Sequence, residues 1–349
     1  MLIFQYFQTS KMTNQTRLDR CVRASSYHIP SQSSVYEKLF VKVVIIIKSI
    51  FPKNENEIEL VKFIGRFQYL SSKDAKYFFN DTYYPKRITK LIKNNILRRY
   101  KKYLVLAENG QYFMKILGQK TSQLRYDQKY TDRLKFISHL AALYNKDSKI
   151  SFTPSFEIKD KTSFTESSRK FIGILNIFGV KYLTYHISEE HTEKYIRSII
   201  FDLQKETVYK NILILINDIN RLNLKDFAFG FNSVIISNDT DEELEKLKYI
   251  NQVNWPKIIQ KLYKNTVHIS EYNSCDYTNN KDKYITTFYL LDTEKINRIN
   301  MFLQSNEGKQ ADVICSQEIV NLLGKELPLA NYKLINISDF IEKDIKVYD

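Results

Sequence analysis

Glycine and proline are scarce in this chain of 349 residues, which carries 8 Gly and 6 Pro. Collagen-like repeats, long flexible linkers and all-β designs with many tight turns all need more of both. So few glycines also leave little room for phosphate-cradling loops. Neither G-x-x-x-x-G-K-[ST] nor G-x-G-x-x-G occurs, and "QSNEGKQ", with its single Gly-Lys, reads as a loop. No nucleotide hydrolysis and no cofactor are expected. Three cysteines, Cys21, Cys275 and Cys315, are too few and too far apart for a zinc framework or a secreted disulfide pattern. They read as buried or incidental thiols of a reducing cytosol. Five histidines contain no His-apolar-His pair, so the 25 tyrosines carry no rolling-circle or relaxase nucleophile. "HISEEHTE" puts His186 and His191 five apart across a strand–helix junction, unlike H-E-x-x-H on one helix face; both read as surface polar residues. The single tryptophan, Trp255 beside Pro256, reads as a packing residue at a helix start.

Long apolar runs are scarce too. "LFVKVVIIIKSIF", Leu39 to Phe51, falls short of the ~20 residues of a spanning helix and is broken by Lys42 and Lys48. It reads as a core-facing helix or strand. "MLIFQYFQTSK" lacks a basic n-region and a cleavage site, so no signal peptide and no membrane partner are expected, and Met12 is an alternative start. The expected location is cytoplasmic.

What the chain does have is positive charge, unevenly spread. The formal net charge is +14. Residues 1–50 hold 7 Lys/Arg against 2 acids, residues 51–135 hold 19 against 8, and residues 136–349 hold 27 against 29. Lysine bias from an AT-rich genome would be even along the chain. This asymmetry points to a polyanion partner: nucleic acid first, an anionic membrane surface second.

The grammar of the chain also changes along its length. Residues 1–52 read as an arm, with Arg17, Arg20 and Arg23, followed by the apolar run. Within 53–120, "IELVKFIGRF" has helical spacing. "YLSSKDAKYFF" reads as a second helix capped by Ser71 or Ser72. "NDTYYPKRITKLIKNN" reads as a third, capped by Asp81 or Thr82, with Pro85 in its first turn. "ILRRY" and "YLVLAE" are short strands, and "NGQYFMKIL" closes the unit. Residues 121–148 contain a connecting helix over Tyr130–Asn145. From 149 to 349 strands alternate with helices: a hairpin about Gly179, a helix in "EEHTEKYIRSIIFDLQKE", and strands in "NILILIN", "SVIISN", "YITTFYLL" and "ADVICS". "DTDEELEKLKYINQ" reads as a helix capped by Asp239, Thr240 or Asp241. The expected fold class is α+β or α/β: a winged helix-turn-helix, then an α/β domain with a mixed sheet.

In a helix-turn-helix the helix after the turn enters the major groove. Tyr84, Ile88, Leu91 and Ile92 form an inward stripe, and Lys86, Thr89, Lys90 and Lys93 an outward one, with Arg87 on the flank and Thr82 at the start. Arg98, Arg99, Lys101 and Lys102 are expected at the tip of the hairpin, reaching phosphate. A solvated lysine-rich face plus a turn would share this pattern; the charge imbalance of the whole segment favours double-stranded DNA.

"YLSSKDAKYFF", "YYPKRITKLIKNNILRR" and "KYLVLAENG" resemble the N-terminal winged helix of the replication-relaxation proteins of Gram-positive plasmids and mobile elements. The resemblance spans roughly Glu57 to Ser237. It implies a second domain related to restriction endonucleases, and "SRKFIGILNIFGVKYLTYHISEEHTEKYIRSIIFDL" is positioned like that family's catalytic hairpin and following helix. Ile172 stands where an Asp is needed, and the second strand, Tyr182 to His186, has no carboxylate. Glu157 alone makes no metal site. The expectation is a non-enzymatic DNA-binding protein in plasmid or mobile-element replication or mobilisation, self-associating through its C-terminal region. A winged-helix transcriptional regulator or abortive-infection-type antitoxin is the alternative, and a divergent metal-dependent nuclease the second.

Overall fold

The computed structural model describes residues 51–119, 121, 127–161, 170–264, 267–270, 275–279, 283–305 and 309–341. The expectations for the arm, for the apolar run up to residue 50, for Cys21 and for the start at Met12 lie outside the described residues. Over these residues the protein is mixed α and β with three sheets. It divides into two compact units, one up to residue 146 and one from residue 147.

In the first unit α1 (Glu55–Phe67) is capped by Asn54, whose side chain accepts from the Asn56 N–H at 2.9 Å. Leu60, Val61, Ile64 and Phe67 form its buried stripe. A two-residue strand β1 (Leu70–Ser71) follows, then a 3-10 turn over Asp74–Phe78. The capped α-helix expected here does not form. Leu70 and Ser71 pair instead with Leu104 and Tyr103 of a later strand, and Ser72 donates its N–H and hydroxyl to the Lys102 carbonyl. That pairing takes the residues a first helical turn would need. Helix α2 (Tyr84–Lys93), the antiparallel hairpin β2 (Leu97–Tyr100) and β3 (Tyr103–Leu106), and α3 (Glu108–Ile116) complete the order, with β3 central in the three-stranded sheet. Helix α4 (Gln128–Leu143) packs on β1 and the 3-10 turn. Its His139 Nδ1 lies 3.1 Å from Asp74, and Ser138 donates to the Tyr69 carbonyl. The helix read as a connector therefore contributes to this unit's core.

The second unit has a six-stranded and a five-stranded sheet. β4 (Ile150–Pro154), β5 (Gly173–Ile177) and β6 (Val180–Ile187) run antiparallel, with α5 (Ser155–Lys161) between the first two. The β5–β6 turn is Phe178-Gly179, both at positive φ, the primed geometry whose twist suits a two-residue hairpin. After α6 (Glu193–Gln204), β7 (Asn211–Ile216) and β8 (Ser233–Asn238) extend the sheet in parallel. Parallel strands are covered on both faces, so "NILILI" is apolar throughout and Ile212 to Ile216 are buried. The short helix α7 (Asp241–Lys246) is capped by Thr240. Then come α8 (Trp255–Tyr263), the antiparallel β9 (Val267–Ile269) and β10 (Tyr277–Asn279), and β11 (Lys283–Phe288). β12 (Leu291–Asp292) pairs with β8, and α9 (Thr293–Ser305), β13 (Gln310–Cys315), α10 (Gln317–Glu326) and β14 (Asn331–Leu334) finish the unit. β11, β13 and β14 are parallel. One apolar core runs through both sheets of this unit, from Leu183, Ile214 and Ile236 through Ile299 to Val313 and Leu323.

Cys275 and Cys315 are free and buried, and burial pushes both thiols up to about 11. Burial, with the Cys315 thiol beside it, also pushes the Tyr332 phenol up to about 12. These groups hold their protons longer in the folded than in the unfolded chain. Their contribution is therefore complete below the unfolded pKa and lost as pH rises through the folded one. Urea unfolding should give constant stability up to about pH 8 and a fall between about pH 9 and 12. A midpoint that stays level across that window would refute the buried protonated state.

Candidate nucleic-acid interface

Helix α2 is anchored from below before its outer face is considered. Ile88 and Leu91 are buried and Tyr84 and Ile92 half-buried, so the inward stripe is as expected. Neither Asp81 nor Thr82 is the cap. Tyr83 holds that position without a side-chain bond, because Asp81 is used elsewhere. Its Oδ1 accepts from the Tyr83 N–H at 3.0 Å and its Oδ2 from Arg87 Nη2 at 3.1 Å. Arg87 also lies 3.8 Å from the buried Glu57 of α1. Arg87 thus ties α2 to α1 and to the turn before it, and its charge is met within the unit. Thr89 donates its hydroxyl to the Pro85 carbonyl at 2.9 Å.

The outward face carries Thr82, Lys86, Thr89, Lys90 and Lys93, all exposed. The Lys86 ammonium lies 5.3 Å from the ring centre of Tyr83, which is itself 63% exposed. Tyr83 was missed in the sequence because its apolar body matched neither stripe. Lys73, just before the 3-10 turn, and Lys76 within it, both exposed, were missed because no helical face organises them.

The far end of α2 is held to the hairpin and α3 by Asn109. Its side chain donates to the Asn94 carbonyl at 2.9 Å, and its N–H donates to Asn95 at 3.0 Å. The hairpin corrects one expectation. Only Lys101 and Lys102 form the turn; Arg98 and Arg99 lie within β2, opposite Val105 and Leu104. Successive strand residues point to opposite faces, so the two arginines, both exposed, diverge rather than cluster at the tip. Lys101 sits at φ +54, a region costly to a residue with a Cβ. Lys101→Gly should leave thermal stability unchanged or raise it by up to about 1 kcal/mol while removing one cation. A marked loss of stability would show that the lysine side chain itself supports the turn.

In the second unit the positions compared with nuclease acids are apolar or neutral. Ile172 is buried, and Gly173 pairs across the hairpin with the buried Thr184. A Cβ at Gly173 would lie 2.5 Å from the Thr153 carbonyl oxygen and the Phe152 ring, so close packing accounts for this glycine. Glu157 lies in the first turn of α5. His186 is not a surface residue as expected: it is buried, with Nε2 2.9 Å from Asp239 Oδ2 at the end of β8. His191 is half-buried; its Nδ1 accepts from the Ser188 N–H at 2.9 Å and its ring stacks on Tyr195 at 3.8 Å. Among the described residues no group of three or more His, Cys, Asp or Glu is arranged to hold a metal ion. Among them, too, no helix is long and apolar enough to cross a membrane. Comparison of the chain with family models, with curated proteins and with solved structures finds no match.

Proposed function

We propose that the first unit is a winged helix that binds double-stranded DNA, with α2 in the major groove and the β2–β3 hairpin on flanking phosphates. One observation carries the reading. Lys86, Lys90 and Lys93 are exposed along one side of α2 while Ile88 and Leu91 bury the other, and Lys101 and Lys102 turn the adjoining hairpin. A helix buried on one side and cationic on the other, rigidly joined to a cationic hairpin, suits a groove lined by phosphates. Arg87 supports the fold of this surface, and Thr82, Lys86, Thr89 and Lys90 face the groove, the two lysines within reach of its phosphates.

The β5–β6 hairpin followed by α6 supports the resemblance to replication-relaxation proteins, and with it a role in plasmid or mobile-element replication or mobilisation in the cytoplasm. Ile172 and Thr184 offer no metal-holding acid, so we assign the second unit to self-association rather than catalysis. Titration of the full chain with labelled duplex across a salt series tests the reading. Log affinity should fall with log salt by about 0.9 for each phosphate neutralised. Binding that ignores salt, or no binding at low salt, would overturn it.

A further inference from the structure

The second unit holds a hollow of about 390 Å³ beside β10, β11 and the start of α9. That volume lies within the range of small-molecule sites. Trp255, Tyr277 and Tyr289 supply aromatic walls, and Ile269, 80% exposed, stands at the rim. Burial, aided by neighbouring carboxylates, raises both phenols above their ordinary value, so both rings stay neutral at physiological pH.

The polar groups are fixed in advance. Asp276 Oδ2 accepts from the Thr287 N–H at 2.7 Å, the Thr287 hydroxyl at 2.7 Å and Lys295 Nζ at 2.6 Å. Lys295 Nζ also donates to the Thr287 carbonyl at 2.8 Å. The three bonds to Asp276 all end on Oδ2, which among the described residues leaves Oδ1 to accept, and the ammonium retains a third N–H. A bare cation or anion gains little from such a neutral pair. A flat heterocycle with a carbonyl next to a ring N–H matches both groups at once. Aromatic side chains stack on such rings while polar groups read their edges.

We propose that this hollow binds a guanine base, its O6 accepting from Lys295, its N1–H donating to Asp276 Oδ1, and its faces against the aromatic walls. Recognition rests on the base, since the chain has no glycine-rich phosphate loop. The source is then a free guanine nucleotide or a guanine in a single strand. The proposal is independent of duplex binding by the first unit.

Trp255 is the only tryptophan in the chain, so its fluorescence reports on this hollow alone. The full chain is titrated with GMP, AMP, ribose 5-phosphate, and short oligoadenylates with and without one guanine. GMP should quench saturably with a Kd below about 1 mM, and AMP should bind about ten-fold more weakly or worse. Asp276→Asn should weaken GMP by about ten-fold or more. Asp276 also anchors Lys295, so Tyr277→Leu is tested in parallel; it leaves the ion pair and should cost about five-fold or more. Tighter binding of the guanine-containing strand than of GMP would uphold the proposal with a strand as the source, and the reverse order would uphold it with a nucleotide. No saturable response to GMP, an equal response to ribose 5-phosphate, or unchanged affinity in both variants would overturn it.

Discussion

Replacing Lys86, Lys90, Lys101 and Lys102 together by alanine should lower duplex affinity at low salt by about two to three orders of magnitude. All four side chains are exposed. If each neutralises one phosphate, their removal also reduces the slope of log affinity against log salt by about 3.6. Thermal stability should stay within about 0.5 kcal/mol, because exposed lysines away from tight pairs contribute little to folding. Arg87→Ala should behave differently. It breaks the pairs with Asp81 and Glu57, so it should lower stability as well as binding. A quadruple variant with the parental slope would mean that these residues meet no phosphate, and the proposed interface would fall.

The largest effect on stability is expected at Asp312, in the five-stranded sheet. Its side chain is 1% exposed, yet Oδ2 accepts from the Tyr263 hydroxyl at 2.6 Å and lies 3.2 Å from Lys333 Nζ, with Lys283 Nζ 3.7 Å from Oδ1. One carboxylate thus joins β11, β13, β14 and the end of α8. Asp312→Ala removes the anion that both ammonium groups face and the acceptor of the Tyr263 hydroxyl bond. Breaking a buried pair from one side costs about 3–5 kcal/mol. Lys283 and Lys333 are partly exposed and can turn to water, so a loss of about 3 kcal/mol is expected in urea unfolding. Asp312→Asn should lose less, because an amide oxygen still accepts from Tyr263. A loss below about 1 kcal/mol for the alanine variant would mean that the lysines are neutralised elsewhere.

Much of this protein is local in origin, and that part was determined by the sequence alone. The two stripes of α2 follow from residue spacing on one helix, the β5–β6 turn from a glycine between two apolar runs, and buried β7 from six consecutive apolar or amide side chains. The excess of cations before residue 135 likewise needs no fold to be seen. Tertiary structure decided whatever depends on a partner distant in the chain. Ser71 entered a strand because Tyr103 offered it backbone bonds, and the helix expected there shortened to a 3-10 turn. His186 became a buried residue because β8 brings Asp239 to it across 53 positions. Asp312 is surrounded by Tyr263, Lys283 and Lys333, and the Asp276–Lys295 pair joins the start of β10 to α9. In each case a backbone or side-chain polar group drawn at least partly out of water must find a counterpart, and sequence spacing does not specify which distant strand or helix supplies it.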